Sequence, residues 1–166
     1  DEVQTGNGRT GSLYAWQQYG FTPDIMSTAK GLGGGLPIGA CLFGEKTENT
    51  LTPGTHGSTF GGSPAVCAGA LSILGRIDEA LLAQVRAKSE YLFSAFEGKP
   101  GIEQVSGLGL MIGLKTAKPA AEVVAKCMEQ GVLVLTAHGK VRLLPALNIP
   151  MELVKKAAEV IIAACA

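Results

Sequence analysis

The sequence has no charge bias, with 14 basic and 14 acidic residues among 166, and it has no basic block. That argues against a nucleic acid or an anionic membrane as the main partner. A small anionic ligand stays compatible with zero net charge, because a few local donors can hold one. No apolar run is long enough to span a bilayer and no signal-peptide pattern is present, so the expected compartment is the cytoplasm. None of the four cysteines (Cys41, Cys67, Cys127, Cys165) belongs to a C-x-x-C pair. Each lies among apolar residues, and buried reduced thiols are expected. His138 sits in a turn with no ligand partner at useful spacing, and no metal is expected. An initiator Met and a leading tail are also missing: the chain opens on Asp1-Glu2-Val3-Gln4, as though in mid-domain, and is expected to be a fragment.

What is abundant is glycine, 23 residues, concentrated in the first 62 positions. Clustered glycines between apolar runs mark backbone that bends sharply or approaches a ligand closely. Along the chain, Asp1–Gln4 reads as the end of a strand and Ser12–Tyr19 as a short helix. Asp24–Thr28 and Ile38–Phe43 read as strands. Ser63-Pro64 starts a small-sided helix, with the serine as cap, and a second amphipathic helix runs from about Glu79 to Glu97. Beyond Gly101, strands are expected over Val105–Leu114, Val132–Leu135 and Val141–Leu144, with helices over Ala120–Gln130 and Met151–Ala164. This alternation predicts an α/β unit over residues 1–82 and a smaller α+β unit over 83–166.

Several stretches carry chemistry. Gly6-Asn7-Gly8-Arg9-Thr10-Gly11 matches G-x-G-x-x-G, yet polar Gln4-Thr5 precede it and no acidic residue follows at the required distance, so a dinucleotide site is not supported. Lys30 follows an apolar run and precedes Gly31-Leu32-Gly33-Gly34-Gly35. A lysine at a strand tip facing bare backbone can be desolvated, which frees its amine to attack a carbonyl. Asp1 offers a carboxylate suited to a protonated pyridine nitrogen, and Gln4 a donor to a ring hydroxyl. Thr55–Gly62 supplies hydroxyls and backbone N–H groups just before a helix, as a phosphate requires. Arg142, amid the strand residues Val141-Arg142-Leu143-Leu144, has a planar fork that matches a carboxylate.

Taken in order, Asp1-Glu2-Val3-Gln4-Thr5-Gly6, Ala29-Lys30-Gly31-Leu32-Gly33-Gly34-Gly35, His56-Gly57-Ser58-Thr59-Phe60-Gly61-Gly62-Ser63-Pro64 and Arg142-Leu143-Leu144-Pro145 resemble the class III aminotransferases of the fold-type I pyridoxal-phosphate enzymes. The resemblance covers nearly the whole chain. It implies the C-terminal part of the cofactor-binding large domain followed by a small C-terminal α+β domain. By resemblance, Lys30 forms the Schiff base with pyridoxal 5'-phosphate and moves the proton. Asp1 pairs with the ring nitrogen, Val3 packs on the ring face and Gln4 bonds the ring hydroxyl. Thr59 reaches the phosphate, across the interface of a homodimer with shared active sites. Ser58 lies near the substrate, and Arg142 holds its α-carboxylate.

Within the family, Thr52–Gly62 is most similar to members of arginine biosynthesis that pass the terminal amino group of N2-acetylornithine to 2-oxoglutarate. Ser63 before Pro64, and Asn7 in the first glycine loop, depart from the usual pattern. Ornithine, succinylornithine and 4-aminobutyrate remain alternative donors, an aminomutase or decarboxylase an alternative reaction, and a non-catalytic dimerising domain an alternative of another class. Family members also carry an upstream phosphate cup and a ring-stacking aromatic that are absent here, so these 166 residues alone are expected to be inactive.

Overall fold

The computed structural model describes all residues, Asp1–Ala166, and the chain divides into two compact units, Asp1–Leu82 and Ala83–Ala166. The first unit holds an antiparallel strand pair, β1 (Ile25–Thr28) and β2 (Ala40–Phe43), with Thr28 opposite Ala40. Between them a 3₁₀ turn, Lys30–Gly33, leads into Gly34, which has φ +60°. Helix α1 (Pro64–Leu74) follows. Its proline fits the first turn, where no backbone N–H is needed, but the Ser63 side chain makes no capping bond; its carbonyl accepts from the Cys67 N–H instead. Small residues let α1 lie on the glycine loop as its composition suggests. A Cβ on Gly69 would stand 2.7 Å from Leu36, and one on Gly34 would stand 2.5 Å from Ile73.

Two expected elements of this unit differ. Asp1–Gln4 forms no strand, and Val3 and Gln4 lie in a turn, although the Glu2 N–H still donates to the Ser27 carbonyl at 2.8 Å. Ser12–Tyr19 contains only a 3₁₀ turn, Ala15–Gln18. Its polar side chains bond backbone and one another instead of leaving the backbone to a helix: Ser12 donates to the Tyr14 carbonyl, and Gln18 to Ser12 and the Thr10 carbonyl.

Helix α2 (Glu79–Phe96) contains the boundary between the units and buries Val85, Lys88, Leu92 and Phe96 along one stripe, the helical spacing that marked it in the sequence. The second unit continues with β3 (Ile102–Leu108), β4 (Met111–Thr116), α3 (Ala120–Glu129), β5 (Leu135–Ala137), β6 (Lys140–Leu143) and α4 (Met151–Cys165). The four strands form one antiparallel sheet in the order β3-β4-β6-β5. β4 and β6 alternate as half-buried strands do: Ile112, Leu114, Val141 and Leu143 enter the core with Val123, Val154 and Ile161 from α3 and α4. The β3–β4 hairpin turns on Gly109-Leu110, and Leu110 is fully buried. Gly107 cannot carry a side chain there, since its φ is +134° and a Cβ would lie 2.0 Å from the Met111 carbonyl oxygen. The β5 strand starts at Leu135 rather than Val132; Val132 and Val134 pack against the core from a non-strand segment. His138-Gly139 has positive φ at both residues, which suits a two-residue hairpin turn.

Lys88 is the charged member of this core, 3% exposed, and its ammonium donates to the Leu147 carbonyl at 2.7 Å. Burial lowers its pKa from the ordinary 10.5. The folded state therefore holds that proton less tightly than the unfolded chain, which costs stability at neutral pH, and the cost fades as pH rises toward 10.5. Lys88→Met leaves the Leu147 carbonyl without its donor and is expected to lower the unfolding free energy by about 1–3 kcal/mol. In urea titrations the gap between wild type and variant widens toward alkaline pH; a gap that is flat or narrowing with pH contradicts this account.

Candidate functional site

The first residues of the chain are held against β1. The Asp1 carboxylate accepts two hydrogen bonds through Oδ1, from the Val3 N–H at 3.1 Å and from the Ser27 hydroxyl at 2.7 Å. The adjoining Glu2 N–H to Ser27 carbonyl contact makes this a two-point attachment to one strand residue. Glu2 itself is buried, and its carboxylate accepts from the Trp16 N–H at 2.9 Å and from the Thr5 hydroxyl. The segment carrying Asp1, half-buried Val3 and exposed Gln4 is thus fixed from both sides.

Lys30 lies just past the end of β1, which stops at Thr28, and opens the 3₁₀ turn with φ +48°. Left-handed backbone at a lysine is uncommon and is the kind of local cost found at working positions. Ser27, which holds Asp1, and Lys30 are three residues apart on one continuous backbone. The expected desolvation of Lys30 is not met within these residues: it is exposed. Gly31, Gly33, Gly34 and Gly35 beside it have no side chains with which to cover an amine.

The Thr55–Gly62 loop is exposed along its whole length, with Phe60 at 87%. It is shaped by its own turns: Thr55 pairs twice with Thr52, and Ser63 N–H reaches the Phe60 carbonyl. The Ser58 and Thr59 hydroxyls stand in this exposed loop ahead of α1. In the second unit, Arg142 is half-buried on β6, opposite Gly113 of β4 and Leu135 of β5. It belongs to the sheet face opposite the one that buries Val141 and Leu143. Lys140 shares that face and donates to the Ser106 hydroxyl at 2.8 Å.

The Gly6–Gly11 stretch is a coil of turns, closed by Gly8 N–H to Leu13 carbonyl and Gly11 N–H to Gly8 carbonyl contacts. It neither follows a strand nor opens an α-helix, so the geometry of a dinucleotide fingerprint is absent. The cysteines divide. Cys127 and Cys165 are buried, but Cys41 is exposed and Cys67 half-buried, contrary to the expectation of four buried thiols. Burial, with the Cys127 thiol adding to it and Lys118 opposing, pushes the Cys165 thiol up to about 11. It therefore stays protonated and inert as a nucleophile at neutral pH. No three His, Cys, Asp or Glu side chains gather as a metal site would need, and no helix is long and apolar enough to cross a membrane.

Sequence reasoning did not identify Glu2, Ser27, Asn7 or Thr28 as parts of this constellation. Only Asn7 carried any signal, as an unusual residue in a glycine loop.

Residues 1–165 match the family model described as aminotransferase class-III, and the chain belongs to that family. Its mixed α/β fold is the fold of solved members. Among curated relatives, the acetylornithine aminotransferase of Haemophilus ducreyi is 47% identical over 163 residues, which is 97% of this chain and 42% of the relative. That of Aquifex aeolicus is 43% identical over 97% of this chain and 43% of the relative. Among solved structures, ornithine aminotransferase from Toxoplasma gondii superposes with a TM-score of 0.91 at 34% identity, over 99% of this chain and 42% of that one. Acetylornithine aminotransferase from Elizabethkingia anophelis does so with a TM-score of 0.89 at 32% identity, over 98% and 44%. The chain therefore spans less than half the length of the relatives it matches.

Proposed function

We propose that this chain forms the lysine-bearing part of an aminotransferase that uses pyridoxal 5'-phosphate to move the terminal amino group of N2-acetylornithine to 2-oxoglutarate, a step of arginine biosynthesis. The observation that carries the reading is the tie between Asp1 and β1. Ser27 fixes the Asp1 carboxylate three residues before Lys30, a step of about 10 Å in extended backbone. Asp1 Oδ1 spends its lone pairs on Ser27 and Val3, which leaves Oδ2 for a ring N–H. The donor set therefore fits the cofactor.

When bound, pyridoxal phosphate supplies an electron sink that stabilises negative charge at the substrate carbon next to nitrogen. The chain's residues do the rest. Asp1 keeps the ring nitrogen protonated, Val3 packs on the ring face and Gln4 donates to its hydroxyl. Lys30 Nζ would hold the cofactor through its aldehyde carbon and, once freed by the substrate amine, would serve as the base that carries the proton from the substrate carbon next to nitrogen to the cofactor carbon. Thr59 donates to the phosphate from the neighbouring subunit of a homodimer, Ser58 lies beside the substrate, and Arg142 grips the α-carboxylate. Cover for Lys30, which its glycine neighbours cannot provide, comes from the rest of the full-length cytoplasmic enzyme. These 166 residues alone would then be inactive.

The acetylornithine assignment is supported by the 42–47% identity to curated relatives of that name. The test is borohydride reduction of the full-length enzyme followed by peptide mass spectrometry. A phosphopyridoxyl adduct on Lys30 is expected, and an adduct on any other lysine overturns the site. A panel of amino donors with 2-oxoglutarate then ranks the substrates. Turnover of ornithine or 4-aminobutyrate with none of acetylornithine removes the donor assignment while leaving the reaction class intact.

A further inference from the structure

We propose that Asn7 is a positioning residue that sets the backbone from which Lys30 projects. The proposal rests on the reading of Lys30 as the cofactor-bearing lysine. Asn7 is 5% exposed, and its Nδ2 donates to both the Thr28 hydroxyl and the Ala29 carbonyl, each at 3.2 Å. These are the last residue of β1 and the residue bonded to Lys30. The amide can stand only one way round, because the Ala29 carbonyl accepts and cannot face Oδ1.

Three costs converge on this contact. Asn7 has φ +57° and Lys30 φ +48°, both left-handed. Asn7 Oδ1 is buried without a hydrogen-bond partner, a deficit of the kind that native interiors largely avoid. Gly31 has no Cβ, and one placed there would come within 3.3 Å of Asn7 Cβ. Within this chain the Oδ1 acceptor goes unpaired while the opposite end of the same amide bonds both residues leading into Lys30. Asparagine suits the position twice over, since it tolerates the left-handed region better than other side chains and carries two N–H donors.

The test uses the full-length enzyme with Asn7→Gly, which accepts the backbone angle and deletes the clamp, and Asn7→Asp, which keeps the shape but replaces the donor with an acceptor facing the Ala29 carbonyl. Two quantities are read: the pH midpoint of the bound cofactor's visible absorbance, and kcat separately from KM. Both variants are expected to move the midpoint by about half a unit or more, the scale of one weakened hydrogen bond. They should lower kcat roughly tenfold or more, as misplacement of a reacting group does, with KM little changed. Asn7→Asp has the larger effect. Should either variant fail to fold, Thr28→Val, which is nearly isosteric and removes one of the two partners, gives a smaller shift in the same direction. A midpoint equal to wild type in the folded variants overturns the proposal, whatever happens to thermal stability. Failure of the parent reading is seen separately, as a wild-type borohydride adduct on a lysine other than Lys30.

Discussion

Replacing Lys30 with alanine in the full-length enzyme is expected to abolish useful turnover while leaving the protein folded. The loss has two sources. Without the amine, the cofactor has no covalent anchor and dissociates more readily. Without the base, proton transfer at the substrate carbon falls to water, and that transfer alone is worth about 10²–10⁴-fold in rate. The fold should tolerate the change because Lys30 is exposed and its neighbours are glycines, so no core contact is lost. The remaining backbone cost is the left-handed φ of +48°, which lysine and alanine bear alike. Lys30→Gly removes it, and is expected to be at least as stable as Lys30→Ala and equally inactive. Single-turnover rates with acetylornithine, set beside circular dichroism of both variants, check this. Turnover of Lys30→Ala within tenfold of wild type removes the residue from the chemistry.

Much of the second unit was legible from periodicity. Helix α2 shows Val85, Leu92 and Phe96 on one stripe, α3 shows Val123 and Cys127, and α4 shows Val154, Ala158 and Ile161. Each repeats at the helical interval because a single face is buried. The first unit was harder to read. Its short strands give four residues of pattern apiece, too few to fix an end. The stretch 12–19 has helix-compatible residues whose side chains bond locally instead. Val132–Val134 was misread because an apolar run looks the same whether it pairs in a sheet or packs beside one.

The candidate site divides in the same way. Lys30, Asp1 and Arg142 could be singled out because each is a chemically distinctive residue in an unexpected setting. The contacts that organise them could not. Asn7 to Ala29 and Asp1 to Ser27 link residues 22 and 26 positions apart through single hydrogen bonds, and such pairings leave no local periodicity. The exposure of Lys30 was missed for a related reason. A glycine-rich sequence signals close approach by something, but says nothing about whether the approaching group belongs to the same stretch of chain.

Arg142→Ala is expected to produce the second large effect, and of a different kind. Arg142 stands on β6 opposite Gly113, whose missing side chain leaves room for that of Lys140. Its strand neighbours Val141 and Leu143 are buried in the core on the other face, so the position of the guanidinium is set by a rigid element rather than a loop. A charge-assisted pair of hydrogen bonds to a carboxylate is worth about 1.5–3 kcal/mol, so its removal should cut kcat/KM roughly ten- to a hundredfold. Because the carboxylate is present before and during the reaction, the loss falls mainly on KM, with kcat reduced less. The α-carboxylate of N2-acetylornithine lies three bonds further from the reacting carbon than that of 2-oxoglutarate, so one fixed guanidinium grips only one of them and the loss should fall mainly on one half-reaction. Arg142→Lys keeps the charge without the fork and should recover only part of the loss. Steady-state kinetics of each half-reaction decide the matter: a variant whose KM is unchanged for both acetylornithine and 2-oxoglutarate would place the carboxylate grip elsewhere in the enzyme.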